Sequence, residues 1–251
     1  MIGIYLFFGN PWIMVAMIVC LFLSAVASAR VKTTYSKFDK VRTHSGFTGY
    51  ETARRLLAVK GAADIKIGKV NGQLTDHYHP TKGVVNLSES TYDSSSVAAV
   101  AVAAHEIGHV MQKKDRHFFY NLRTALVPIT NFGSMLAMPL VMIGILMSVY
   151  VSSAGDSDLG FYVAMAGVIL YSTSFLFTLV TLPVELNASR RAGEMLLNEG
   201  IVTKEEFPGV KKVLSAAALT YFVGMLTSLV YFLRFLLYVL SIFGRRNNRR
   251  Y

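Results

Sequence analysis

Long stretches without charge dominate the hydropathy pattern of this 251-residue chain. Asp, Glu, Lys and Arg are absent from four windows, namely residues 1–29, 124–155, 159–184 and 213–233. A helix needs roughly 20 apolar residues to cross the hydrocarbon core of a bilayer, so every window is long enough to span it. The pattern therefore predicts a mainly α-helical membrane protein with three to four membrane-embedded segments.

The first and last charge-free windows can each be interpreted as something other than a single membrane-spanning helix. Residues 25–27 imitate a signal-peptide cleavage site, but a signal peptide begins with positive charge, and the first basic residue here is Arg30. We therefore expect a retained anchor. In the last window a single crossing would place the basic residues 245–250 outside, and Arg234 interrupts the apolar run. A re-entrant hairpin or a helix lying partly on the membrane surface fits these charges better.

Residues 30–121 form the one sizeable polar block. Thr48 and Glu51 have the spacing of a capping box, which predicts the start of a helix. Runs rich in Ile and Val at 64–70 and 83–88 lie beside turn signals and predict a small sheet of two or three strands. Possible caps at 93–96 then precede an alanine-rich helix over about 96–114. The expected fold is a small α+β domain set between membrane helices.

These patterns divide the chain into five parts. The parts are an N-terminal transmembrane anchor (1–29), a cytoplasmic catalytic part (30–121), two transmembrane helices with a short external loop (122–183), a cytoplasmic helix (184–212) and a C-terminal membrane-embedded or re-entrant segment with a basic tail (213–251).

The distribution of charge orients the protein in its membrane. The net charge is +10, and 15 of the 25 basic residues lie between Arg30 and Arg123. The segment 152–160 has no basic residue but contains Asp156 and Asp158. Because Lys and Arg stay on the cytoplasmic side, the polar block is predicted inside the cell and this loop outside. Membrane flanks explain the positive charge better than nucleic-acid binding does.

The centre of the alanine-rich helix reads HEIGH, from His105 to His109. Two histidines four residues apart lie one turn above each other, so both imidazoles can bind one zinc ion. Glu106 points to a neighbouring angle, from which it can take a proton from a water molecule that the zinc activates. The pattern predicts a metallopeptidase. The simpler alternative is a polar patch on an amphipathic helix.

A catalytic zinc takes three protein ligands and keeps one position open. A metzincin would have Gly and His at the positions of Gln112 and Asp115, so that class is excluded. Glu185, Glu194 and Glu199 are candidates for the third ligand. We predict Glu185, because small residues at 188, 189 and 192 share its helix face and allow a close approach of two helices.

Three motifs resemble the YugP-like neutral zinc metallopeptidases of bacterial membranes, distant relatives of the HtpX-type membrane gluzincins. They are HEIGH (105–109), PVELNASRRA (183–192), and LTDHYHP (74–80) with VNLS (85–88). The resemblance covers about residues 49–221. It implies a gluzincin-like catalytic domain in the inner membrane, with zinc held by His105, His109 and Glu185. It names no substrate.

Two positions depart from the usual pattern of that family, which has acids in place of His79 and Asn187. Neither is a predicted zinc ligand. If the position of Asn187 normally orients a ligand histidine, Ser189 becomes the better candidate for that hydrogen bond here.

The segment around His77 and Tyr78 leaves three interpretations open. In some gluzincins a His or Tyr outside the zinc ligands stabilises the oxyanion, and either residue can do this if the hairpin folds over the helix. His77 and His79 can also bind a second metal from one face of a strand. The plain interpretation is a polar turn held by structural hydrogen bonds.

The leading hypothesis is a zinc endopeptidase that cleaves protein or peptide substrates, membrane-associated ones above all, at the cytoplasmic face. An edge strand near 83–88 would pair with an extended substrate. The alternative is a zinc-stabilised membrane scaffold without activity, which Glu106 disfavours. A transporter is disfavoured because the two central apolar windows contain no ionisable residues.

Overall fold

The computed structural model describes residues 11–150 and 159–247, with side chains for 11–148 and 159–243. Residues 1–10 of the predicted anchor and most of the predicted external loop lie outside these ranges. The described residues form seven helices and three strands. Their bounds are α1 Pro11–Phe38, α2 Gly49–Val59, β1 Lys66–Val70, β2 His77–His79, β3 Val84–Ser88, α3 Glu89–Tyr92, α4 Val97–Lys114, α5 Phe118–Tyr150, α6 Leu159–Asn198 and α7 Phe207–Asn247.

Four of these helices, α1, α5, α6 and α7, are long and apolar enough to cross a membrane. The fold is thus mostly helical with one small sheet, as the hydropathy pattern predicts. At 1.5 Å per residue the 40 residues of α6 measure about 60 Å, roughly twice the thickness of the hydrocarbon core. Only about half of α6 therefore fits within one crossing.

Helices α6 and α7 are longer than the sequence suggests. The predicted division ends the second central transmembrane helix at residue 183 and places a cytoplasmic helix at 184–212, yet α6 continues through Pro183 to Asn198. A proline removes one backbone hydrogen bond, and a helix tolerates this loss where neighbouring groups compensate. Helix α7 is continuous from Phe207 to Asn247, so these residues contain no turn of the kind that a re-entrant hairpin requires.

The chain divides into two compact units. The apolar unit comprises Met1–Ser24, Leu122–Thr181 and Phe222–Tyr251, and the HEIGH unit comprises Ala25–Asn121 and Leu182–Tyr221. In the apolar unit a Cβ atom added at Gly144 of α5 would lie 2.4 Å from the backbone nitrogen of Ala164 in α6. Such close approaches at small residues are typical of membrane helices, which are held by dispersion packing.

Helix α4 forms the centre of the HEIGH unit, where it packs against α2, α3 and strands β2 and β3. Nearly all of its residues from Val97 to Val110 are buried. Ser96 caps its first turn by accepting a hydrogen bond from the backbone of Ala99. The predicted capping box of Thr48 and Glu51 is confirmed at the start of α2. Helix α4 thus holds the HEIGH residues on a rigid, buried element.

Strand β3 is the central strand of the sheet. It pairs in parallel with β1 and antiparallel with β2, with Tyr78 opposite Val85. Val85 and Leu87 of β3 are fully buried. The expectation that residues 83–88 offer an open edge to a substrate is therefore wrong, because β1 and β2 occupy the two edges.

Candidate metal centre

Helix α4 brings His105 and His109 onto one face, as the four-residue spacing predicts. Their ring centroids are 4.8 Å apart and the rings are nearly perpendicular. The His109 side chain is buried and that of His105 is partly buried. Two imidazoles in this arrangement can direct one nitrogen each to a common point.

Glu185 of α6 completes a cluster of three potential ligands. Its Oε2 lies 3.2 Å from Nε2 of His105 and 3.4 Å from Nε2 of His109. Two ligand atoms bound to one tetrahedral zinc ion at its usual bond lengths are roughly 3.4 Å apart. The donor set of two imidazoles and one carboxylate therefore fits zinc in both chemistry and spacing. Among the described residues, these are the three His, Cys, Asp or Glu side chains grouped closely enough to hold a metal.

The other candidates for a third ligand lie elsewhere in the HEIGH unit. Glu194 forms an ion pair with Arg190 at 2.8 Å, and its side chain is 54% exposed. Glu199 pairs with Arg55 at 3.6 Å. Both carboxylates are thus engaged with arginines, whereas Glu185 is almost completely buried beside the two histidines.

Burial and charge act in opposite directions on the histidines. Burial by itself lowers the pKa of His109, but the hydrogen bond with Glu185 and the charges of Glu185 and Glu106 outweigh it. The pKa of His109 is therefore raised above its ordinary value. Excess negative charge around an imidazole favours a cation at this point, whether a proton or a metal ion.

Each ring has a hydrogen-bond partner at its outer nitrogen, Nδ1. Nδ1 of His105 lies 3.2 Å from Oγ of Ser189 on α6, which is the contact that the sequence suggests for this serine. Nδ1 of His109 lies 2.9 Å from Oε1 of Gln112. Asn187 accepts a hydrogen bond from Gln112, which in turn contacts His109. The Nε2 atoms of both rings remain directed at Glu185.

Glu106 is buried on α4 beside His105, with 7% of its surface exposed. It is not a member of the three-residue cluster. Its role in catalysis stays a prediction.

The structure gives His77 a place in the sheet. Its Nδ1 lies 2.9 Å from the carbonyl oxygen of Thr75, and its Nε2 lies 3.0 Å from Nδ2 of Asn86. A carbonyl oxygen only accepts, so Nδ1 carries the hydrogen and Nε2 accepts from the amide of Asn86. Asp76 accepts hydrogen bonds from the backbone and hydroxyl of Ser88. These contacts favour the structural interpretation of the turn for Asp76 and His77.

Tyr78 lies closer to the helix that carries the two histidines. It is half-buried and packs on the core of the HEIGH unit. The ammonium group of Lys113, one turn beyond His109 on α4, lies 5.9 Å from the centre of its ring. Tyr78 therefore contacts the same helix as the candidate ligands, and its catalytic role stays a prediction.

Two residues near the cluster have no counterpart in the site predicted from sequence. Gln112 is fully buried and bonds to His109. Tyr120 at the start of α5 is also buried, and its ring lies 6.4 Å from that of His109. Gln112 follows His109 by three residues on the same helix, and residues with this spacing lie on one face. This spacing is the sequence signal that could have identified Gln112.

Known proteins similar to this chain point to the same chemistry. A family described as "Putative neutral zinc metallopeptidase" matches residues 13–240. The chain is 42% identical over 231 residues to "Putative membrane protease YugP" of Bacillus subtilis (strain 168), which covers 92% of this chain and 97% of that protein. No solved structure matches the chain.

Proposed function

Because the chain belongs to this family of neutral zinc metallopeptidases, we propose that it is a membrane-embedded zinc endopeptidase of the gluzincin type. The observation that carries the proposal is the convergence of His105, His109 and Glu185, at distances that suit one zinc ion. The four apolar helices and the name of the relative support a multi-pass membrane protein.

A zinc ion held by His105, His109 and Glu185 would supply Lewis-acid chemistry, namely polarisation of the scissile carbonyl and a water of lowered pKa. Glu106 accepts the proton from this water and returns it to the leaving amine. Its place on α4, one residue after His105, holds the carboxylate close to the reacting atoms without making it a ligand.

The negative charge that develops on the carbonyl oxygen also needs a hydrogen-bond donor to stabilise it. Of the two residues that the sequence suggests, Tyr78 suits this role better than His77. Both ring nitrogens of His77 are engaged by Thr75 and Asn86. Tyr78 lies against α4 and carries a hydroxyl that can donate.

The position of strand β2 supports a proposal for the substrate class. Strand β2 is an edge strand of the three-stranded sheet and contacts the helix that carries His105 and His109. An extended peptide adds to such an edge through backbone hydrogen bonds, which suits an endopeptidase of broad sequence preference. We therefore propose extended, membrane-associated segments at the cytoplasmic face of the cell membrane as substrates.

The direct test measures zinc and cleavage in the same preparation. Full-length protein purified in detergent should contain one zinc ion per chain and cleave an unstructured, membrane-tethered polypeptide. A chelator should abolish the cleavage, and added zinc should restore it. Zinc at full occupancy without any cleavage would instead favour a scaffold in which the metal ties α4 to α6.

A further inference from the structure

Gln112 is a completely buried polar side chain at the edge of the candidate metal centre. Burying an amide is unfavourable unless its polar atoms find partners. Its Oε1 lies 2.9 Å from Nδ1 of His109. Its Nε2 donates to the carbonyl oxygen of Val184 at 2.7 Å and to Oδ1 of Asn187 at 3.0 Å. One amide thus connects a candidate ligand on α4 with the turn of α6 that contains Glu185.

These partners fix the direction of every hydrogen bond. The carbonyl of Val184 only accepts, so the NH₂ group of Gln112 must face it and Oε1 must face His109. Nδ1 of His109 must therefore carry a hydrogen. In the neutral ring, Nε2 then has its lone pair free on the side of Glu185, 3.4 Å from Oε2. This is the tautomer that binding through Nε2 requires.

The same amide also sets the spacing of the two helices. Val184 precedes Glu185 directly, and Asn187 follows it by two residues. Asn187 is held in turn by Arg191, whose Nε donates to its Oδ1 at 2.9 Å and whose guanidinium pairs with Asp115 at the end of α4. The network joins α4 to α6 on both sides of the glutamate.

The support of His105 is weaker. Its Nδ1 has the hydroxyl of Ser189 at 3.2 Å, and a hydroxyl both donates and accepts. This contact therefore does not fix the tautomer of His105, whereas the amide of Gln112 fixes the tautomer of the neutral His109 ring.

We infer that Gln112 is a positioning residue, which sets the tautomer of His109 and the place of Glu185 so that zinc affinity depends on a side chain that does not touch the metal. The inference rests on the proposed function, because it takes zinc to bind at these three side chains. Loss of such an outer hydrogen-bond partner lowers metal affinity by about 10–100-fold.

Three variants of the full-length protein test this inference. Gln112→Met keeps the length of the side chain but removes the acceptor and both donors. Gln112→Glu keeps an oxygen that accepts from His109 and loses the NH₂ group. Val100→Ala, at a fully buried position on the same helix, loosens the core without touching the network. Zinc affinity is measured by competition with a chromophoric chelator, and thermal unfolding is measured without metal.

Gln112→Met should bind zinc about 10–100-fold more weakly than the wild type, and Gln112→Glu should recover part of that loss. Val100→Ala should lower the stability of the metal-free protein and leave zinc affinity unchanged. Cobalt(II) provides a second measurement, because its visible absorption bands report ligand geometry. These bands should change in Gln112→Met but not in Val100→Ala.

Wild-type zinc affinity and cobalt spectrum in Gln112→Met would reduce Gln112 to a packing residue. Equal zinc loss in Val100→Ala would assign the effect to general loosening of the core. Equal loss in both Gln112 variants would overturn the tautomer argument. A wild-type protein that binds no zinc would instead overturn the proposed function itself, and this inference with it.

Discussion

Gly108 of α4 lies directly against Ala188 of α6. A Cβ atom added at Gly108 would be 2.6 Å from the carbonyl oxygen of Ala188 and 3.1 Å from its Cα. Ala188 and Ala192 are fully buried, so α6 presents a smooth face to α4 at this level. The absence of a side chain at Gly108 therefore allows Glu185 to approach within 3.4 Å of both candidate ligands, His105 and His109.

Gly108→Ala should separate the two helices and weaken the metal site. Overpacking of a filled core costs typically about 1–3 kcal/mol, and the added methyl group meets backbone, which cannot rotate away. We expect reduced zinc content and a lower unfolding temperature in detergent. Gly224→Ala on α7 is the matched control, because among the described residues no atom outside the adjoining stretch of α7 lies within 4 Å of its added Cβ. If both variants bind zinc like the wild type, the close approach does not support the site.

Glu185→Gln should bind zinc far more weakly than the wild type. An amide retains the shape of the carboxylate but loses the charge that a zinc ligand supplies, so the loss should exceed the roughly 10–100-fold that an outer hydrogen bond contributes. Glu194→Gln is the control, because its carboxylate is half exposed and pairs with Arg190. Metal analysis of both purified variants provides the measurement. Zinc loss in Glu194→Gln alone would show that the third ligand is misassigned.

Local patterns predict the elements of the site well. The spacing of His105 and His109, the cap at Ser96 and the small residues after Glu185 each act within one helix or between two faces. These patterns depend only on residues close together in the sequence, so they apply to the helix whatever the surrounding fold. The cluster of three side chains could therefore be predicted from sequence.

Contacts between residues that are far apart in the sequence are harder to predict from it. The order of strands in a sheet depends on contacts between distant residues, so nothing local marks β3 rather than β2 as the central strand. A proline disfavours the interior of a helix, yet α6 continues through Pro183 to Asn198. From sequence, Gln112 stands only at the position where a metzincin has glycine. Its partners Val184 and Asn187 lie more than 70 residues away.

The HEIGH unit is predicted to lie on the cytoplasmic side of the membrane. The basic residues between Arg30 and Arg123 favour this orientation. Single cysteines at Gln73, which is exposed in the turn before β2, and at Ser153 in the predicted external loop test it in a Cys20→Ser background. An impermeant thiol reagent should label position 153 in intact cells and position 73 only after permeabilisation. The opposite labelling would place the site outside.

Tyr78→Phe should reduce turnover while zinc stays bound. Removal of one donor to a developing oxyanion costs about 10²–10³-fold in kcat, and the phenyl ring preserves packing against α4. His77→Gln is the comparison, because His77 is engaged within the sheet. Both variants are assayed for zinc content and for kcat and KM separately. An unchanged kcat in Tyr78→Phe would remove Tyr78 from the mechanism.

Glu106→Gln separates a peptidase from a scaffold. The amide is nearly isosteric with the carboxylate and Glu106 is not one of the three clustered side chains, so fold and zinc content should match the wild type. Only the proton-accepting group is lost, and a general base contributes roughly 10²–10⁴-fold in rate. A scaffold is indifferent to this change, whereas an enzyme loses cleavage with its metal in place. The measurement is zinc content beside cleavage of a membrane-tethered, unstructured substrate, with Glu194→Gln as the charge-matched control on an exposed surface. Undiminished cleavage by zinc-loaded Glu106→Gln would assign the base to another group.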